Sequence, residues 1–251
     1  MRPCVSIPCF FGKGDFADAI KKVESIGYDA AEIWGWEKLD LERAKNALDE
    51  NGVELLSMCT TEHRLTTPAL RDEYVLGVRK SCEVAKRLGV KMLISQVGND
   101  TGESREGQRE SIVLGLREAA PIAEEYGITL MIEPLNVLVD HKGYYLTSSA
   151  EAFGIVREVE SPAVKVVFDI YHQQVTEGNI IPNIVNNIDL IAHLHAAGHP
   201  GRHELHLGEN DYRFIISAVE KAGYVGAIGL EYKPTLDPAE SLKLVREMYF
   251  A

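Results

Sequence analysis

Gly127-Ile128-Thr129-Leu130-Met131-Ile132-Glu133-Pro134 holds the unit from which the fold is read. A long helical pattern, Arg105–Tyr126, stops at Gly127, and the short β-rich apolar run Ile128–Ile132 reads as a strand ending in an acid and a proline. Beyond it a helix is predicted over Thr147–Val159, capped by Thr147 or Ser148, and then a strand over Val164–Phe168. The same alternation extends both ways. Toward the N-terminus, strands are expected at Val5–Cys9, Ala30–Trp34, Val53–Cys59 and Val90–Gln96. Helices are expected between them at Asp15–Ile26, Asp40–Asn51 and Asp72–Leu88. Toward the C-terminus follow helix Ile180–Asn187, strand Ile188–His195, helix Tyr212–Ala222, strand Ala227–Glu231 and helix Pro238–Tyr249. Glycines at 27, 52, 89, 127 and 223 stand between helix and strand, where a residue free to turn left-handed closes a helix. Strands alternating with helices imply parallel pairing with right-handed crossovers.

Eight such units in 251 residues predict an α/β fold, one (β/α)8 barrel spanning residues 1–251 as one domain. An open doubly wound sheet competes, but no GxGxxG follows the first strand and no GxxxxGK[ST] occurs anywhere. With 45% apolar residues the chain has ample material for a core and is not disordered. Acids outnumber bases 38 to 26, for a net charge of −12, so no nucleic-acid partner is expected. No apolar run is long enough to span a membrane, and the N-terminus does not read as a signal peptide. Four scattered cysteines without a CxxC pair suit reduced thiols in a cytoplasmic protein.

In a barrel of this kind the chemistry sits at the C-terminal ends of the strands. There the sequence places Glu133, Asp169, His195 and Glu231, at intervals of 36, 26 and 36 residues. Each interval is about one βα unit, roughly 30 residues in a barrel of about 250. Three carboxylates converging with an imidazole would repel one another strongly unless a cation joined them. The donor set suits one divalent ion, Mg²⁺ or Mn²⁺, with Co²⁺ also compatible. His193 and His195 share a strand face. His195 is chosen as the ligand because it lies nearer the mouth, and His193 is read as a packed, hydrogen-bonded residue. Asp169-x-x-His172 turns both side chains toward that mouth.

Five segments carry a resemblance: Ile132-Glu133-Pro134-Leu135-Asn136, Asp169-Ile170-Tyr171-His172-Gln173, Gly198-His199-Pro200-Gly201-Arg202-His203-Glu204, Leu207-Gly208-Glu209-Asn210-Asp211-Tyr212 and Gly229-Leu230-Glu231-Tyr232-Lys233-Pro234. In these the chain resembles the hydroxypyruvate isomerases of the xylose-isomerase-like TIM-barrel superfamily, most strongly over residues 128–235. The resemblance implies metal ligands Glu133, Asp169, His195 and Glu231, with Glu133 and Glu231 doubling as the acid/base pair. It also implies that His172 and Arg202 hold the polar end of a small-molecule substrate, and that the protein is a homodimer or homotetramer. Two departures bear on the substrate. Histidine at 195 is usual in the related ketose epimerases, whereas some hydroxypyruvate isomerases carry glutamine there, and the segment Thr60–Asp72 is short.

Isomerisation and epimerisation both remove a proton from carbon beside a carbonyl, which a cation and a carboxylate base make accessible. The expected reaction is hydroxypyruvate to tartronate semialdehyde. A ketose 3-epimerase on the same metal and the same glutamates is the alternative, favoured by His195, while Arg202 favours an acidic substrate. Arg202 also has the option of a surface ion pair with Glu204 or Glu209. Trp34 and Trp36 are candidates for an aromatic wall, and His63 and Gln96 for substrate contacts. Tyr144-Tyr145 is a candidate subunit contact. An apurinic endonuclease of the same superfamily shares Arg202-His203 and Leu207-Gly208-Glu209, but it needs histidines after the third and fourth strands, which here end at Cys59 and Gln96. A non-catalytic sensor is disfavoured because all four ligands remain.

Overall fold

The computed structural model describes residues 1–12, 14–61 and 64–251. In chain order the elements are β1 (Arg2–Ser6), α1 (Ile7–Phe10), α2 (Phe16–Ser25), β2 (Ala30–Glu32), α3 (Leu41–Asn51), β3 (Glu54–Cys59), α4 (Arg71–Leu88), β4 (Met92–Ile94), α5 (Arg105–Tyr126) and β5 (Thr129–Ile132). They continue with α6 (Ser149–Val159), β6 (Val164–Asp169), α7 (Ile170–Thr176), α8 (Ile180–Val185), β7 (Ile191–Ala196), α9 (Tyr212–Lys221), β8 (Ala227–Leu230) and α10 (Pro238–Tyr249). The eight strands pair in sequence order, all parallel, and β8 closes on β1, so the sheet is the expected (β/α)8 barrel.

Local chemistry sets the element boundaries. Asp15, Asp40, Ser104, Asp211 and Asp237 each accept a backbone N–H of the first turn of α2, α3, α5, α9 and α10, which satisfies donors that have no helical partner. All five glycines read as helix stops have positive φ. Several expectations shift: β2 and β4 are shorter than Ala30–Trp34 and Val90–Gln96, and Ser148 stands at the N-cap of α6 without a side-chain cap bond. The first strand ends at Ser6, not Cys9, because Pro8 lacks the N–H a central strand must donate and stands instead in the first turn of α1. The last strand-forming run before His195 starts at Ile191, since Ile188–Leu190 forms a single 3₁₀ turn.

One large apolar cluster joins the helices to the outside of the sheet, through residues such as Val78, Ile112, Leu130, Phe153 and Phe168. Two small clusters consist of strand residues alone. Cys4, Ala30, Leu56 and Ala227 form one, and Ile94, Met131 and Val167 the other, so they face each other inside the barrel. The lumen is thus filled by side chains, and polar residues appear where the strands open at their C-terminal ends. No helix among the described residues is long and apolar enough to cross a membrane, and all four cysteines are free thiols.

Candidate metal centre and active site

The four predicted ligands meet. One donor atom from each of Glu133, Asp169, His195 and Glu231 lies within 4.8 Å of the others, and all four residues are buried. Strand register explains the convergence. Asp169 pairs with His195 across β6 and β7, and His195 pairs with Gly229 across β7 and β8. Glu231 extends the β7–β8 ladder by one bond, its N–H donating to Ala196 O at 3.1 Å. Glu133 follows β5 directly. Asp169 has a second task as the N-cap of α7, accepting the His172 N–H at 3.0 Å.

The imidazole of His195 presents Nδ1 to this cluster, 3.0 Å from Glu133 Oε1 and 3.7 Å from Glu231 Oε2. Burial pushes the Glu133 carboxyl up to about 7, with Glu231 and Asp169 adding to the rise and His195 opposing it. Three buried carboxylates facing one nitrogen donor carry a like-charge repulsion that a dication relieves. The residues therefore fit a divalent ion: three hard oxygen donors and one imidazole, as Mg²⁺, Mn²⁺ or Co²⁺ accept. They do not fit a closed structural zinc site, which favours thiolate and imidazole donors.

A cavity of about 420 Å³ opens above the cluster, and Glu133, His195 and Glu231 form part of its wall. The expected contacts Trp34, Gln96, His172 and Arg202 also line it, as does His141. Arg202 enters from the β7–α9 loop. Its Nη2 lies 2.5 Å from Glu231 Oε2 and its guanidinium rests 5.3 Å from the centre of the Tyr171 ring. The surface pairing of Arg202 with Glu204 or Glu209 does not occur. Glu204 is buried and accepts from Thr235 N–H, Thr235 Oγ1 and Ser241 Oγ, while Glu209 accepts from Gln174. The loop that carries Arg202 is tightly folded: a Cβ at Gly208 would sit 2.2 Å from His199 O, so only glycine fits there.

His172 is fully buried with its orientation set by Asn136. The Asn136 amide uses Oδ1 to accept from Val139 and Asp140 N–H, leaving Nδ2 as donor to Asp140 Oδ2 and to His172 Nδ1 at 2.6 Å. Nδ1 is therefore the acceptor, and the ring carries its proton on Nε2, 3.6 Å from Asp169 Oδ2. Burial, with Arg202 nearby, pushes the His172 pKa down to about 3, which keeps the ring neutral. Trp34 is 49% exposed at the rim and donates Nε1–H to Glu231 Oε1 at 2.8 Å. Trp36 does not line the cavity; it packs against the main core. Tyr144 and Tyr145 are buried within the chain, where Tyr144 Oη accepts from Val97 N–H and Tyr145 Oη donates to Arg105 O. They are not available as a subunit contact. The expected contact His63 lies outside the described residues.

One buried acid was not singled out from the sequence. Glu32, at the end of β2, is 2% exposed. It accepts His193 Nε2–H at 2.9 Å and Ser57 Oγ–H at 3.2 Å. Although burial raises its pKa, the imidazoles of His195 and His193 hold the carboxyl well below the usual range. The available signal was an acid inside the apolar strand Ala30-Ala31-Glu32-Ile33, a placement that costs several kcal/mol unless the charge is paired. His193 is the packed, hydrogen-bonded residue that was expected.

With this geometry in place, comparison with known proteins gives a consistent family. Residues 20–248 match the family described as xylose isomerase-like TIM barrel, and the chain belongs to it. It is 30% identical to the hydroxypyruvate isomerase of Escherichia coli (strain K12) over 248 residues, covering 93% of this chain and 94% of that one. A 2-oxo-tetronate isomerase of Cupriavidus necator is 38% identical over 104 residues, covering 41% of this chain and 40% of that one. Among solved structures, one titled AP endonuclease, family 2, from Brucella melitensis superposes with a TM-score of 0.94 over 99% of both chains. At 24% identity that likeness speaks for the fold alone.

Proposed function

We propose that this protein is a divalent-metal-dependent isomerase of a small 2-oxo acid, with hydroxypyruvate to tartronate semialdehyde as its reaction. The observation that carries the reading is the convergence of Glu133, Asp169, His195 and Glu231 beneath a cavity whose wall includes the guanidinium of Arg202. Two of the similar proteins are named for hydroxypyruvate and 2-oxo-tetronate, both of which carry a carboxylate beside the reacting carbonyl.

When bound, the divalent ion supplies positive charge for the carbonyl oxygen as the adjacent C–H bond ionises. The chain's residues do the rest. Glu133 and Glu231, from β5 and β8, are the two carboxyl groups in position to move protons. One takes the proton from C3 of hydroxypyruvate, and a proton is returned to C2. The C3–H bond breaks, a C2–H bond forms, and the hydroxyl proton passes from O3 to O2. The product is an isomer, and no electron acceptor is consumed. Arg202 offers the substrate carboxylate a planar pair of donors. The neutral His172 offers an Nε2–H, and Gln96 and Trp34 wall the rest. A cytoplasmic homodimer or homotetramer without nucleic-acid partners belongs to the same proposal, the last in keeping with the net charge of −12.

The test is deuterium exchange in D₂O followed by NMR on metal-reconstituted protein. Hydroxypyruvate, 2-oxotetronate, erythrulose, ribulose, fructose and tagatose are each compared with and without EDTA. The expected result is chelator-sensitive deuterium at the carbon beside the carbonyl, with tartronate semialdehyde formed from hydroxypyruvate. Exchange confined to a ketose, with inversion at its third carbon, would replace the isomerase with the epimerase. No exchange with any substrate would overturn the reading.

A further inference from the structure

We infer that Glu32 is a positioning residue that holds His195 with Nδ1 turned into the Glu133–Asp169–Glu231 cluster; the inference rests on the metal-site reading above. Glu32 and His195 come from β2 and β7, which lie far apart around the barrel wall and meet only across its lumen. Both nitrogens of His195 face carboxylates. Nδ1 faces Glu133 and Glu231, and Nε2 faces Glu32 Oε1 at 3.4 Å. Neither Nε2 nor Oε1 makes a hydrogen bond among the described residues, although both are buried, and the 3.4 Å approach brings these two unpartnered atoms together. Each is therefore the polar neighbour that the other has.

Glu32 is itself held. Its second oxygen takes Ser57 Oγ–H and His193 Nε2–H, and the His193 ring stands edge-on to that of His195, centres 5.0 Å apart. Room for the contact is left by Gly229. A Cβ there would lie 2.6 Å from Glu32 Oε1 and 2.7 Å from His195 Cδ2, so a side chain at this position would wedge the pair apart. A carboxylate that holds the far nitrogen of a ligating imidazole fixes its tautomer and raises its basicity, and losing such a partner lowers metal affinity about 10- to 100-fold.

The experiment titrates the 251-residue chain with Mn²⁺ against a chromogenic chelator and records the visible spectrum of the Co²⁺-loaded form. Wild type, Glu32→Gln and His193→Gln are compared, with urea unfolding in excess EDTA reporting the metal-free fold. Wild type is expected to bind one ion per chain. Glu32→Gln should still bind one, about 10- to 100-fold more weakly, with its Co²⁺ bands displaced. His193→Gln keeps the His195 side chain while removing the ring packed beside it and its bond to Glu32, and should shift both readouts in the same direction by a smaller amount; it decides the matter if Glu32→Gln does not fold. Wild-type affinity and spectrum in the folded variants would overturn the inference while leaving the metal reading intact. Two ions per wild-type chain, one of them lost in Glu32→Gln, would make Glu32, His193 and His195 ligands of a second ion and also overturn it. A wild-type chain that binds no ion would remove the metal reading and this inference together.

Discussion

Arg202 and Glu231 are paired inside the cavity, guanidinium Nη2 to carboxylate Oε2 at 2.5 Å, while Trp34 bonds the other carboxylate oxygen. A candidate ligand and acid/base group thus carries a fixed cation on one side and an indole on the other. Burial works against its charge, but the cation lies among acids, and Glu231, Asp169 and Asp140 all raise the Arg202 pKa, which ends above its ordinary value. That leaves it charged at every working pH.

Arg202→Lys keeps a positive charge and removes the planar fork. Activity on hydroxypyruvate, as kcat/KM, is expected to fall about 10- to 100-fold, the worth of one charged hydrogen bond. Any turnover of an uncharged ketose should fall less. Initial rates on both substrates check this, and an equal loss on both would show that Arg202 acts on Glu231 rather than on the substrate carboxylate.

Glu133→Gln and Glu231→Gln each remove a group assigned to proton transfer. Deuterium incorporation from D₂O is expected to drop at least about 10²-fold in either variant, in line with what a positioned acid or base contributes. Exchange retained by one of the two would assign proton removal to the other residue.

Metal binding should be linked to protons through Glu133. In the metal-free chain its carboxyl titrates near 7, so below that pH it holds a proton that a cation must displace. Burial lowers the His195 pKa, but Glu32 and Glu133 raise it well above the ordinary imidazole value, so His195 also gives up a proton to a cation and affinity for Mn²⁺ is expected to rise with pH through about 7 and beyond. Calorimetric titrations in two buffers of different ionisation enthalpy should show proton release at pH 6 from both Glu133 and His195, and a smaller release at pH 8 from His195.

Tyr212→Phe should destabilise the fold without touching the cavity. The Tyr212 hydroxyl accepts Ala197 N–H at 3.1 Å and donates to Ala197 O at 2.8 Å, pinning the start of the loop that carries Arg202. Without it a buried backbone N–H is left unpaired, a loss of about 1–3 kcal/mol. The midpoint of urea unfolding measures it.

Features with a local cause were legible in the linear chain. Helix stops at Gly52, Gly89 and Gly127 follow from glycine's access to left-handed backbone, and starts at Asp40 and Ser104 from side chains that take up free N–H groups. The positions of Glu133, Asp169, His195 and Glu231 could be read because each ends an apolar strand, and in a parallel barrel the strand ends share one mouth. A local cause also shortens β1: Pro8, without an N–H, ends the strand before the expected Cys9.

By itself the sequence determined the order of strands and helices, hence the barrel, and with it the set of residues at the mouth. Tertiary structure alone decided that Arg202 pairs with Glu231 rather than with its chain neighbours Glu204 and Glu209. It alone decided that Asn136 sets the His172 tautomer, and that Glu32 meets His195. The reason is physical. Backbone propensity and capping act within a few residues, so they appear in the pattern. A contact across the lumen depends on closure, register and the space left by residues such as Gly229, which no local pattern encodes.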